Sequence, residues 1–247
     1  CHSASIVETK KGDLIATYFG GTKERNPDVC IWVSRKPKGS QEWTKPQMVA
    51  DGVELRPLKP NKDGKVSQVT TSAKPAFGAQ FMPLPEWVGN RGEYAIGDNY
   101  REACWNPVLF ETPSGELQLY FKIGPNVAGW LGWYVTSKDG GKTWSQRKML
   151  PEGFYGPVKN KPVLNKGRLI APTSDERDGW KLYFELSDDM GKTWRRTTFV
   201  DADKDVKAIH PSILILPDGR LEAVCRTRSR HIGVTYSSDN GETWSKI

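Results

Sequence analysis

The chain has 247 residues and no run of 18 apolar ones, which excludes a membrane-spanning helix. Its four cysteines, Cys1, Cys30, Cys104 and Cys225, show no CxxC spacing. They therefore form neither a disulfide framework nor a zinc pattern. No metal or cofactor motif is present, so no cofactor is expected. There is no Lys/Arg block and no nucleic-acid fold signature. The formal charge of +7 thus points away from nucleic acid and toward an anionic polysaccharide. No secretory signal is visible and the chain begins at Cys1 without Met, which predicts an excerpt or a processed form.

What is present is turn chemistry. There are 24 Gly and 17 Pro against 37% hydrophobic residues, a balance that suits a turn-rich β protein better than a helical one. Three of the ten Trp close near-identical octets: SKDGGKTW at Ser137–Trp144, SDDMGKTW at Ser187–Trp194 and SSDNGETW at Ser237–Trp244. They begin 50 residues apart, and a fixed period of that size marks a repeat architecture. In each octet the Asp accepts backbone N–H bonds in a tight turn, the Gly supplies positive φ, and Ser and Thr add local bonds. The Trp packs the turn onto the blade beneath it. These Asp residues are folding devices rather than catalysts.

Each octet follows a hairpin turning on a Gly: Gly115, Gly167 and Gly219. A fourth copy surrounds Gly12, and its octet has decayed to SRKPKGSQEW, keeping Ser34 and Trp43. Each unit reads as strand A, Gly turn, strand B, loop, strand C, octet turn, strand D. Four antiparallel strands in about 50 residues make a propeller blade. The expected fold is an all-β propeller with blades near 1–50, 104–150, 157–200 and 207–247. The stretch 51–103 is an insertion or one more irregular blade. The four blades are expected to form one domain with blades beyond this segment.

With CHSASIVE…YFGGT, CWNPVLF, KNKPVL and SDDMGKTW, the chain resembles the Asp-box (BNR repeat) sialidase-like, or neuraminidase-like, β-propellers. It is also similar to propeller-type polysaccharide lyases that act on uronic-acid polymers such as ulvan. The resemblance implies a ring of six or seven blades and a secreted, periplasmic or cell-surface location.

Blade geometry places the chemistry. The A–B and C–D turns share one side of a blade. The start of strand A and the end of strand B therefore lie on the opposite side, near the axis. Counting back from the A–B turn Gly selects His2, Asn106, Lys159 and His210. Counting forward selects Phe19, Lys122, Ser174 and Arg226. A packed core would not choose this polar, mainly cationic set. Lys161 and Arg228 lie beside it, whereas Arg230 and His231 read as a solvated edge. The insertion adds Trp87, Tyr94, Tyr100 and Arg101, which suit a lid over a sugar.

None of these positions is Asp or Glu, although glycoside hydrolysis usually needs two carboxylates. Sialidases, the resemblance implies, instead use an Arg cluster, a Tyr activated by Glu, and an Asp acid. Arg226, Arg228 and Arg101 could form such a cluster, with Glu102, Asp175 and Glu176 the nearest carboxylates; no RIP motif is present. β-Elimination on a uronate fits the set better, because it needs a cation at the carboxylate and a base with a pKa near the working pH. Carried over from the lyase branch, His2 is the expected base or acid and Lys122 the carboxylate neutraliser. Asn106 stands where the resemblance leads one to expect a Tyr, and His210 completes the catalytic set. Lys159, Lys161, Arg226, Arg228, Arg101 and Tyr100 would hold substrate. The main expectation is thus a polysaccharide lyase acting on an acidic oligo- or polysaccharide. The alternatives are an exo-sialidase and a non-catalytic propeller that binds glycans or proteins.

Overall fold

The computed structural model describes residues 1–57, 94–177 and 179–247, and for 54–57 and 94–100 the backbone only. These residues are all-β and contain no helix. The first blade is β1 (His2–Glu8), β2 (Leu14–Gly20), β3 (Cys30–Lys36) and β4 (Gln47–Ala50) in spatial order. Residues 51–103 contribute β5 (Val53–Pro57) and β6 (Tyr94–Arg101), which pair with each other as a two-stranded sheet. The second blade is β7 (Cys104–Glu111), β8 (Leu117–Ile123), β9 (Leu131–Ser137) and β10 (Lys148–Met149). The third is β11 (Val163–Asn165), β12 (Arg168–Asp175), β13 (Lys181–Ser187) and β14 (Arg195–Arg196). The fourth has three strands, β15 (Ala208–Ile215), β16 (Leu221–Thr227) and β17 (Ile232–Ser237). Every pairing is antiparallel.

The sequence alternation becomes layers. One core joins the first and second blades through Ile15, Ile31, Leu109, Leu117, Leu119 and Phe121. A second joins the third and fourth through Ile170, Phe184, Leu186 and Leu221. Blade stacking is sealed by the octets. In each, the Asp takes the amide and the hydroxyl of the following Thr, as Asp189 does from Thr193 at 2.9 and 2.7 Å. The turn then needs left-handed backbone at two successive residues: Gly140–Gly141, Met190–Gly191 and Asn240–Gly241 all have φ between 59° and 87°. The second of each pair lies against the preceding blade. Gly141 meets Ile15 of the first blade, Gly191 meets the Tyr120 hydroxyl of the second, and Gly241 meets Ile170 of the third. A Cβ beside Tyr120 or Ile170 would approach to 2.8 or 3.0 Å, so glycine is required for both reasons.

The inner strands share a second irregularity. β1, β7 and β15 are each bulged, between His2 and Ser5, Trp105 and Val108, and Ile209 and Ser212. At the bulge Ser3, Asn106 and His210 hold φ of 53°, 42° and 55°. Left-handed backbone costs such residues roughly 1–2 kcal/mol, so packing must hold it in place.

Candidate functional site

The bulges lie at the blade end opposite the octets, where the sequence places the chemistry. A short segment of the third blade, 155–161, ties this end together. Beneath it, two fully buried charged side chains grip its backbone. Glu185 on β13 accepts the amides of Tyr155 at 2.9 Å and Gly156 at 2.7 Å, with the Tyr183 hydroxyl at 3.3 Å. Lys122 on β8 donates to the Pro157 carbonyl at 2.8 Å. Burial pushes the Glu185 carboxyl up to about 7, with the bonded amides and Lys122 opposing. Burial likewise pulls the Lys122 ammonium down to about 7, with Glu185 opposing.

Above the grip, the segment reaches two other blades. Lys159 Nζ donates to Ser3 Oγ at 2.8 Å, 156 residues away in the chain. Burial lowers the Lys159 pKa, with Glu24 opposing it. His2 Nδ1 lies 3.2 Å from Glu24 Oε2, and its ring meets the Phe19 ring edge-on at 5.4 Å. On the other side the Asn160 amide donates to the carbonyls of His210 and Pro211, both at 3.0 Å. The His210 ring turns to Glu176, with Nε2 3.3 Å from Oε1. Asp175, next to Glu176, is occupied by Arg177 at 2.6 Å. Farther along, the Arg226 and Arg228 guanidiniums lie over the Trp180 ring, 4.8 and 4.5 Å from its centroid. Both arginines are exposed and neither has a carboxylate partner among the described residues. Their contact with the indole holds the two cations side by side.

The structure thus brings His2, Lys159 and His210 to one end of the blades, around 159–160. It leaves Arg226 and Arg228 together at Trp180. Half-buried Asn106 is on its bulge, and Lys161 is exposed. Three expectations are corrected. Lys122 does not line an open surface: at 0% exposure it is a strut under 155–161, because its ammonium is spent on a carbonyl. Arg101 is not a free carboxylate clamp. It lies 3.4 Å from buried Asp51, which Arg147 shares at 3.1 Å, and that cluster anchors β5 and β6 to the second blade. His2 is not the counterpart of Asn106 and His210. Thr9–Asp13 and Thr112–Glu116 close five-residue turns of equal length, so Ser3 holds that place and His2 matches Trp105. The side chains of Tyr100 and Tyr94, and the whole of Trp87, lie outside the described residues. Counting along strands A and B missed Glu24, Glu185 and Trp180. Two of these sit in loops between strands B and C, which carry no repeat signal. Asn160 was visible within KNKP. Among the described residues no three His, Cys, Asp or Glu side chains converge on a metal position.

The sequence profile of the BNR repeat-like domain family matches residues 12–72 and 85–247. The anhydrosialidase of the leech Macrobdella decora is 34% identical over 122 residues, 44% of this chain and 16% of that protein. Among solved structures, the NanB sialidase of Streptococcus pneumoniae superposes with a TM-score of 0.66 at 16% identity. That match covers 99% of this chain and 51% of NanB. The intramolecular trans-sialidase of Ruminococcus gnavus gives 0.63 at 17% identity, over 99% of this chain and 69% of that one. The chain therefore spans about half to two thirds of these structures and a sixth of the leech protein.

Proposed function

The chain belongs to the BNR repeat-like domain family, and from that premise we propose that it is the substrate-binding part of a sialidase-type enzyme. Such an enzyme cleaves the glycosidic bond of a terminal acidic sugar. The likeness to the leech anhydrosialidase carries this reading and moves it ahead of the lyase reading. Arg226 and Arg228 suit the sugar carboxylate, because two guanidiniums fixed by one indole present their N–H donors without further ordering. That charge must be matched throughout the reaction, while positive charge grows on the anomeric carbon in an oxocarbenium-like transition state. The His210 ring and the Glu176 carboxylate stand 3.3 Å apart at this end of the blades, where a sugar hydroxyl could bond to either. Glu185 and Lys122 hold 155–161 rigid from below and leave Lys159 and Asn160 to position the bulges. Further blades of the complete ring would supply the Tyr nucleophile and the Asp acid of this chemistry.

β-Elimination on a uronate remains the second reading. Lys159 favours it, since burial lowers its pKa and makes it a better base where it meets Ser3. One assay separates the readings. The full-length protein is incubated with sialosides and with uronate polymers. Release of a free or anhydro sialic acid, lost in Arg226→Ala/Arg228→Ala, is the expected result. An ultraviolet-absorbing unsaturated product would overturn it in favour of the lyase. No product from either panel would leave a binding propeller.

A further inference from the structure

The repeats provide an internal control on the octet face. Three equivalent grooves run there between neighbouring blades. The first, between the first and second blades, is bridged: Arg35 Nε donates to the Gly140 carbonyl at 2.8 Å, and the Lys10 amide reaches the Glu111 carboxylate at 3.0 Å. The third, between the third and fourth blades, is bridged more heavily. Arg168 pairs with Asp188 at 2.7 Å and with Glu242 at 2.8 Å, and Arg195 pairs with Glu242 at 2.5 Å.

The middle groove has the charges reversed, and the ion pairs of the third groove have no counterpart there among the described residues. Glu116 stands where the third blade has Arg168, Lys138 where it has Asp188, and Lys192 where the fourth blade has Glu242. None of the three forms an ion pair among the described residues, and neither does Lys148 on the same wall. At depth the Gln118 amide donates to the Met190 carbonyl at 2.9 Å, and the Tyr120 ring meets the Trp194 ring edge-on at 6.1 Å. The groove stays open with a volume of about 570 Å3. Its wall includes Tyr134 and Thr136.

We propose that this groove, between the second and third blades on the octet face, is a second binding site for an acidic saccharide. The volume falls in the range of sites for small ligands. Three ammoniums on its rim, without an ion pair among the described residues, would take sulfates or carboxylates, while Tyr134 would suit the apolar side of a pyranose and Thr136 its OH groups. Asp189 and Glu116 also line the groove; Asp189 accepts the Lys192 and Thr193 amides and the Thr193 hydroxyl in the octet turn, and neither carboxylate pairs with the lysines among the described residues. The site faces away from the bulged ends of the inner strands. It would hold a chain on the enzyme without entering the reaction, and it stands or falls independently of the proposed reaction.

The test uses the full-length protein and a fluorescein-labelled heparin tetrasaccharide, with maltotetraose as the neutral control, at 50 and 300 mM NaCl. Binding of the heparin probe alone, weakened by salt, is expected. The exposed triple variant Lys138→Gln/Lys148→Gln/Lys192→Gln should bind roughly tenfold more weakly or worse at an unchanged melting temperature, since each charge-assisted bond contributes strongly. A second variant, Glu116→Arg/Lys138→Asp/Lys192→Glu, copies the bridge of the third groove. It should lose binding and melt higher. Arg226→Ala/Arg228→Ala should bind the probe as the parent does. The proposal is overturned if the parent does not bind the probe, if both groove variants bind as the parent does, or if the Arg226/Arg228 variant alone loses binding.

Discussion

Replacing Lys122 by Met tests whether the buried pair under 155–161 is the support described above. The change keeps the length of the side chain and removes the ammonium. It leaves the buried Pro157 carbonyl without its donor and Glu185, at zero exposure, without the Lys122 cation. Breaking one side of such a pair costs about 3–5 kcal/mol. For a domain of this size that lowers the melting temperature by about 6–20 °C. The cost must depend on pH, and its sign follows from Glu185. Its folded pKa, about 7, is above the unfolded value of ~4.3, so the stability it confers is complete below ~4.3 and is lost as pH rises through about 7. Lys122 has the opposite slope. Its folded pKa of about 7 is below ~10.4, so the penalty for burying it is full below about 7 and fades toward ~10.4. Without Lys122 the opposing attraction on Glu185 disappears and only the first slope remains. The defect should therefore be small at pH 5, near the 1–3 kcal/mol of an unsatisfied carbonyl, and full at pH 8. Lys122→Met/Glu185→Gln should recover stability at pH 8. Thermal unfolding followed by tryptophan fluorescence at both pH values measures this. A single variant that melts with the parent at pH 8, or whose defect grows toward pH 5, would refute the clamp.

Other consequences can be measured separately. Met190 holds φ of 60° where the other octets have Gly140 and Asn240, so Met190→Asn should raise stability by about 0.5–1 kcal/mol in urea titration; a loss would mean that its side-chain packing matters more. The Thr193 amide and hydroxyl lead in holding the Asp189 carboxyl down at about 2, so its contribution is present above ~3.9 and is lost as pH falls through about 2. Asp189→Asn should lower stability at pH 7 and flatten the acid limb below pH ~4; an unchanged limb counts against the turn as its source. Trp180→Ala should release Arg226 and Arg228 and cut turnover of an acidic saccharide about tenfold through KM, while Trp180→Phe retains most of it, as read from steady-state kinetics. Ile6 on the first blade and Leu214 and Ile232 on the fourth expose apolar surface at 45, 48 and 71%. The 247 residues expressed alone should therefore associate at micromolar concentration; a clean monomer in sedimentation velocity would count against further blades packing there.

The blades were legible because their signal is local and repeated. An Asp, a Gly and a Trp at fixed offsets determine one turn, and the turn sets the hairpin beside it. Three copies at the same spacing then place the strands by subtraction. The pairing of β5 with β6 carries no such offsets and could not be counted out. The candidate site is different in kind. Strand position was enough to bring His2, Asn106, Lys159 and His210 to one end, because chain direction alone decides which end a strand start occupies. It was not enough to say which of them face solvent. The Lys122 side chain leaves β8 at a position equivalent to Arg226 on β16, yet one is sealed between blades and the other lies over an indole. What separates them is Glu185 on a neighbouring blade in one case and Trp180 in a loop in the other. Such partners lie roughly 40–65 residues away in sequence and follow no period. A repeat therefore predicts where a side chain starts, and the non-repeating neighbours determine whether it supports the site or meets the substrate.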